Sequence, residues 1–238
     1  LIVDAHTHLG DFPLFNVRLD AEGLIRMMDE CGVDHALLFS LPNELTREAV
    51  ERYPDRLSGM VWVNPLDGEA ALSAVKEAVS RWGFKGIKLH PLLDSYLPDS
   101  EVVHPVMELA GRLGVPVLFH CGHPPWTLPW HFGNLAARFP DVQIILGHMG
   151  HGHIVYINGA LEVARKHRNI FLETSGMPMH SKIKEAADTV GVDRVLYGSD
   201  APFGHPAFEL KKVEVSGLTG EEMEMVLGEN ARQLFGLS

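Results

Sequence analysis

Asp4-Ala5-His6-Thr7-His8 sets two imidazoles two residues apart at the end of an apolar run. Side chains alternate across a strand with period two, so His6 and His8 share a face and can reach one ion. Read alone, an H-x-H is short enough to be two polar residues in a loop. It does not stand alone. The apolar run Val115 to Phe119 ends on His120, Val142 to Gly147 leads into His148, and Val195 to Ser199 leads into Asp200. A plain core strand has no reason to end this way. Two or three imidazoles with a carboxylate make a borderline nitrogen and oxygen set suited to Zn²⁺, and less selectively to Mn²⁺, Fe²⁺ or Co²⁺. Structural zinc sites usually draw cysteine and histidine from local loops, whereas these residues come from distant strands, which favours catalysis. One divalent ion is expected, Zn²⁺ leading, with a second ion left open.

The run Phe84-Lys85-Gly86-Ile87-Lys88-Leu89-His90-Pro91 adds an unusual pair. If Ile87 and Leu89 face outward to helices, Lys88 and His90 face inward, and an interior lysine is costly unless it is paired, modified or used. Lys88 is open to three readings: a carbamate bridging two ions, an ammonium for a substrate carboxylate, or the partner of a buried acid. His90 reads as a ligand or a substrate contact. Trp126, in His123-Pro124-Pro125-Trp126, would form an aromatic wall if its loop folds over the site, together with His123 and Trp130. His151, His153, His180 and His205 each read individually as loop residues.

The elements that must carry these residues follow from periodicity. Short β-rich runs are predicted at Leu1 to Asp4, His35 to Ser40, Gly59 to Val63, Gly86 to His90, Val115 to His120, Val142 to Gly147, Ile170 to Glu173 and Val195 to Gly198. Helical spacing is predicted between them, at Ala21 to Cys31, Glu69 to Trp82, Val103 to Leu113, Leu161 to His167, Ile183 to Val190 and Glu221 to Leu234. Gly32, Gly83, Gly114 and Gly191 follow four of these helices, where a left-handed residue commonly ends the turn. Alternating strand and helix signals give a parallel sheet. Eight such units predict a distorted TIM (β/α)8 barrel occupying residues 1–238 as one domain, its metal site at the C-terminal ends of the strands, with an open doubly wound sheet as the structural alternative.

Bulk properties narrow the partners. The chain has 238 residues, 46% hydrophobic and 21% charged, enough for one sizeable core. Its formal net charge of −11 disfavours nucleic acid and anionic membrane surfaces. Cys31 and Cys121 lie far apart and follow no C-x-x-C spacing, which fits a reduced, cytoplasmic setting. No run nears the roughly 18 apolar residues of a membrane span, and no signal-peptide pattern is present. The expected partner is a small-molecule substrate, and the compact chain is compatible with a homodimer.

The five segments Val3 to His8, Gly86 to Pro91, Val117 to Gly122, Gly147 to Gly150 and Tyr197 to Asp200, in this order, resemble the amidohydrolase superfamily, in particular its amidohydrolase-related branch of small barrels. That resemblance covers nearly the whole chain. It implies that His6, His8, His120 and Asp200 are metal ligands, and that His148 contacts an activated water or helps hold a second ion. TatD-like nucleases share the H-x-H and the final Asp but carry an acidic residue on the fourth strand, where this chain has Lys88. Similar members include lactone and amide hydrolases and also non-oxidative decarboxylases, so the motif does not set the reaction.

The leading expectation is a hydrolase of a lactone, ester or amide, in which the ion lowers the pKa of a bound water from 15.7 towards roughly 7. Asp200 would then shuttle the proton and His148 would orient the water or stabilise the oxyanion. The runner-up is decarboxylation of an aromatic or unsaturated acid whose carboxylates are held by the ion and by Lys88 or Arg18. A third reading, of another class, is a non-catalytic metal-binding barrel.

Overall fold

The computed structural model describes residues 1–237. Eight strands run parallel in the order β1 (Val3–Thr7), β4 (His35–Leu38), β5 (Leu57–Trp62), β6 (Gly86–Leu89), β7 (Val117–His120), β8 (Ile144–Gly147), β9 (Ile170–Glu173) and β10 (Val195–Leu196). The seam between β10 and β1 is closed by backbone bonds. Ala5 N–H donates to Tyr197 O at 3.0 Å, Asp200 N–H to His6 O at 2.8 Å and His8 N–H to Ala201 O at 2.7 Å. The architecture is a TIM barrel, as the alternation of signals predicts, and the open-sheet alternative falls away.

Helices fill the outer layer: α1 (Ala21–Cys31), α2 (Asn43–Arg52), α3 (Glu69–Arg81), the single turn α4 (Pro91–Asp94), α5 (His104–Leu113), α6 (Pro129–Arg138), α7 (Ile154–Lys166), α8 (Ser181–Ala186), α9 (Pro206–Glu214), α10 (Gly220–Glu224) and α11 (Asn230–Phe235). The side chain of Asp20 caps α1 by accepting from Gly23 N–H, and Gly32 ends it at φ 71°. Periodicity missed α2 and α6, whose stretches are short and polar or broken by Trp and Gly. It also missed a two-stranded hairpin, β2 (Gly10–Phe12) and β3 (Val17–Leu19), inserted directly after His8.

Two apolar layers hold the barrel. Outside, residues such as Ile87, Val117, Ile144 and Leu146 pack against helical side chains including Val75, Met107 and Ala160. Inside, Val3, Ala5, Leu37, Phe39, Met60, Leu118, Ile145 and Leu196 form the plug. Val3 and Ala5 both belong to this interior, so strict alternation would turn His6 outward. The pairing of β1 with β4 is irregular between Asp4 and Thr7. This break lets His6 and His8 face the mouth while Val3 and Ala5 fill the base. Among the described residues no helix is long and apolar enough to cross a membrane.

Candidate active site

A cavity of about 420 Å³ opens at the C-terminal ends of the strands. His6, His8, Lys88, His120, His148 and Asp200 all line it. Each arrives on a separate strand end except the His6/His8 pair. Three residues after β8 depart from ordinary backbone: His148 has φ 69°, Met149 φ 46° and His151 φ 58°. Asp200, just past β10, has φ 57°. Left-handed non-glycine residues are costly, and here they aim His148 and Asp200 into the cavity rather than along their strands.

Hydrogen bonds decide which nitrogen of each imidazole faces inward. His8 Nδ1 donates to Phe39 O at 3.1 Å, and His148 Nδ1 donates to Ser175 O at 3.0 Å. A carbonyl can only accept, so in both rings Nε2 is left as a lone pair. His6 Nδ1 donates to the Glu173 carboxylate at 2.8 Å, with the same result. His8 Nε2 then lies 3.1 Å from Asp200 Oδ1, and His6 Nε2 lies 3.3 Å from the same oxygen. Coordinating atoms of His6, His148 and Asp200 all fall within 4.8 Å of one another. His120 stands one step out, its Nδ1 3.1 Å from His148 Nε2 and its Nε2 2.7 Å from His123 Nδ1.

Titration points the same way. Burial, with Lys88 nearby, holds His6 well below its ordinary value, and burial brings His148 down to about 3. Burial opposes the charge on Asp200, and its carboxyl is held well below the usual range only by positive charge on the rings of His6, His8 and His148, a charge that a bound cation would supply in place of their protons. Neutral imidazoles with inward lone pairs around an ionised carboxylate form a set of acceptors lacking a donor. That arrangement repels itself unless a cation sits among it, and its nitrogen and oxygen chemistry fits a divalent ion.

Lys88 is 1% exposed, and its ammonium lies 4.7 Å from the Phe39 ring centroid. Burial lowers it to about 7 against the pull of Asp200 and Glu173. His90 accepts from Leu93 N–H through Nδ1, which leaves Nε2 to carry the hydrogen. Its ring stacks within 14° of His120 and within 13° of Trp62, so three flat rings form one continuous wall. A second group of rings, Phe12 and Phe15 of the hairpin region and Phe203, also lines the cavity.

Trp126 is not among the residues lining this cavity. The loop after β7 folds back on itself: His123 N–H donates to Thr127 Oγ1 at 2.7 Å and Gly122 N–H to Thr127 O at 2.8 Å. This tight turn keeps His123 in the cavity and excludes Trp126, and Trp62 from β5 supplies the indole instead. His151 lines the cavity, whereas the side chains of His153 and His205 cap α7 and α9. Glu173, fully buried at the end of β9, was overlooked because a glutamate ending a strand is indistinguishable from a surface residue in sequence. The aromatic hairpin residues were legible only as Phe-Pro-Leu-Phe-Asn, a turn signature without an address.

The Amidohydrolase family model matches residues 32–237, a span that begins after His6 and His8. Gamma-resorcylate decarboxylase of Polaromonas sp. (strain JS666) is 24% identical over 282 residues, covering 90% of this chain and 86% of that protein. The gamma-resorcylate decarboxylase of Rhodococcus jostii (strain RHA1) is 22% identical, with 82% and 75% covered. Among solved structures, 5-carboxyvanillate decarboxylase from Novosphingobium aromaticivorans, complexed with manganese and 4-hydroxy-3-methoxy-5-nitrobenzoic acid, shares the fold with a TM-score of 0.82 at 18% identity, covering 100% of this chain and 96% of that one. These relatives correct the expectation of a hydrolase, since they break a carbon–carbon bond rather than add water; a ligand set common to both chemistries could not discriminate between them. With most of its length matched by that one family, the chain belongs to the amidohydrolase family.

Proposed function

We propose that this protein is a metal-dependent, non-oxidative decarboxylase of a small planar aromatic or unsaturated acid. The observation that carries the reading is the cavity itself: a donor-free cluster of imidazole nitrogens and a carboxylate, beside a buried lysine, under a wall of nearly coplanar rings. The decarboxylase relatives support it. His6, His8, His120, His148 and Asp200 would hold one divalent ion, and the manganese in the solved neighbour supports Mn²⁺ over the Zn²⁺ that the ligand types alone favour. When bound, the ion would supply positive charge to substrate oxygens and to the negative charge that develops in the reaction.

The chain's own residues do the rest. Lys88 pairs with a substrate carboxylate, His90 donates from Nε2 to a second oxygen, and the Trp62–His90–His120 wall keeps the ring flat and dry. As the carbon–carboxylate bond breaks, its electron pair stays on the ring carbon and carbon dioxide leaves. Asp200, whose side chain is 20% exposed and so exchanges with solvent, takes up a proton and delivers it to that carbon. The balance is one carboxylate and one proton in, one carbon–hydrogen bond and one carbon dioxide out.

The test is carbon dioxide release by the Mn²⁺-loaded protein from 2,6-dihydroxybenzoate, 5-carboxyvanillate and a saturated control, cyclohexanecarboxylate. Release matching the loss of a planar acid, and none from the control, supports the reading. Inertness towards every planar acid, or consumption without carbon dioxide, overturns it.

A further inference from the structure

Glu173 is 0% exposed, and its carboxylate accepts hydrogen bonds through both oxygens. Its Oε2 accepts from His6 Nδ1 at 2.8 Å, from His148 N–H at 3.2 Å and from Ser175 Oγ–H at 2.9 Å, while Oε1 accepts from Ser175 N–H at 2.5 Å. Ser175 in turn offers its carbonyl to His148 Nδ1 at 3.0 Å. One carboxylate therefore touches the ring of one candidate ligand and the backbone of another, and it orders the residue that orients the second ring. The surroundings leave it little freedom. A Cβ on Gly198 would stand 2.3 Å from Glu173 Oε1 and 2.9 Å from His6 Cβ, so the segment just past β10 makes room for this pair only by carrying glycine there.

We propose that Glu173 is the positioning residue of the metal centre, setting His6 in the Nδ1–H tautomer and holding His148 in register with it. The inference rests on the metal-site reading above and assigns Glu173 no contact with ion or substrate. A carboxylate satisfies four donors with no donor of its own, whereas a glutamine places an NH₂ either against Ser175 N–H or against His6 Nδ1. The second choice drives the His6 hydrogen to Nε2, where it faces Asp200 and removes the lone pair needed for an ion.

Two measurements test this independently of turnover. In the wild type without metal, side-chain ¹⁵N NMR should find His6 with its hydrogen on Nδ1; a hydrogen on Nε2 overturns the proposal whatever the variants do. The dissociation constant for Mn²⁺, measured by calorimetry, should rise roughly 10- to 100-fold in Glu173→Gln. Glu173→Asp, which keeps the charge but withdraws it by one methylene, serves if the Gln variant does not fold and should weaken binding at least about 10-fold. A folded variant that binds Mn²⁺ like the wild type overturns the role of Glu173 alone. A wild type that takes up no Mn²⁺ overturns it together with the metal reading.

Discussion

The peptide N–H of Asp200 donates to the carbonyl of His6 at 2.8 Å, and the Asp200 carboxylate lies 3.3 Å from the His6 imidazole. The bond that closes the barrel between its last and first strands thus also sets the distance between two candidate ligands. A perturbation of the seam should be felt at the metal centre, and the reverse.

Asp200→Asn tests the carboxylate in both of its proposed capacities. Neutralising it removes the carboxylate charge beside His6 Nε2 and His8 Nε2, and also the proton carrier. Elemental analysis should find the divalent ion depleted, and carbon dioxide release should fall by about 10²-fold or more. Near-normal metal content with near-normal turnover would remove Asp200 from the mechanism.

Lys88 predicts a pH dependence with a definite sign. Its value near 7 in the unliganded protein means it is cationic below that pH and neutral above it. Affinity for a carboxylate substrate should therefore be highest on the acid side and decline as pH rises through about 7, the loss continuing up to the higher value that the bound anion gives the group in the complex. In Lys88→Met the KM should rise about tenfold or more and lose this slope. A slope that survives in Lys88→Met belongs to another group.

Gly198→Ala should be poorly tolerated although only one methyl is added. The new Cβ would meet Glu173 Oε1 and His6 Cβ well inside contact distance. Thermal unfolding should report about 1–3 kcal/mol of destabilisation, the range for overpacking, and Mn²⁺ affinity should fall with it. A stable variant with intact metal binding would mean that Glu173 can shift without consequence.

Asp4 is buried beneath the site, its Oδ1 accepting from His6 N–H at 3.1 Å and Ser199 N–H at 2.8 Å, while burial pushes its carboxyl up to about 7. Asn retains the accepting oxygen, so Asp4→Asn should unfold within about 1 kcal/mol of the wild type. Asp4→Ala strands two buried N–H groups and should cost about 2–4 kcal/mol. Equal stability of the two variants in chemical denaturation would show that these bonds contribute little.

How far each feature could be read depends on the range of the interaction behind it. Strand and helix alternation, the glycine ends at Gly32 and Gly114, and the appearance of His120, His148 and Asp200 at strand ends are local consequences of side-chain period and turn chemistry. The chain alone therefore determined the barrel and which residues could meet at its mouth. Tertiary structure decided how they meet. The irregular pairing beside Asp4, which turns His6 inward, exists only against β4. The tautomers of His6, His8 and His148 depend on Glu173, Phe39 and Ser175, residues remote in sequence from the rings they orient. Trp62 replaced Trp126 in the wall because a loop's direction follows from its own hydrogen bonds, not from its composition. Glu173 itself carries no local signature, since what sets it apart from any strand-end glutamate is the absence of water around it.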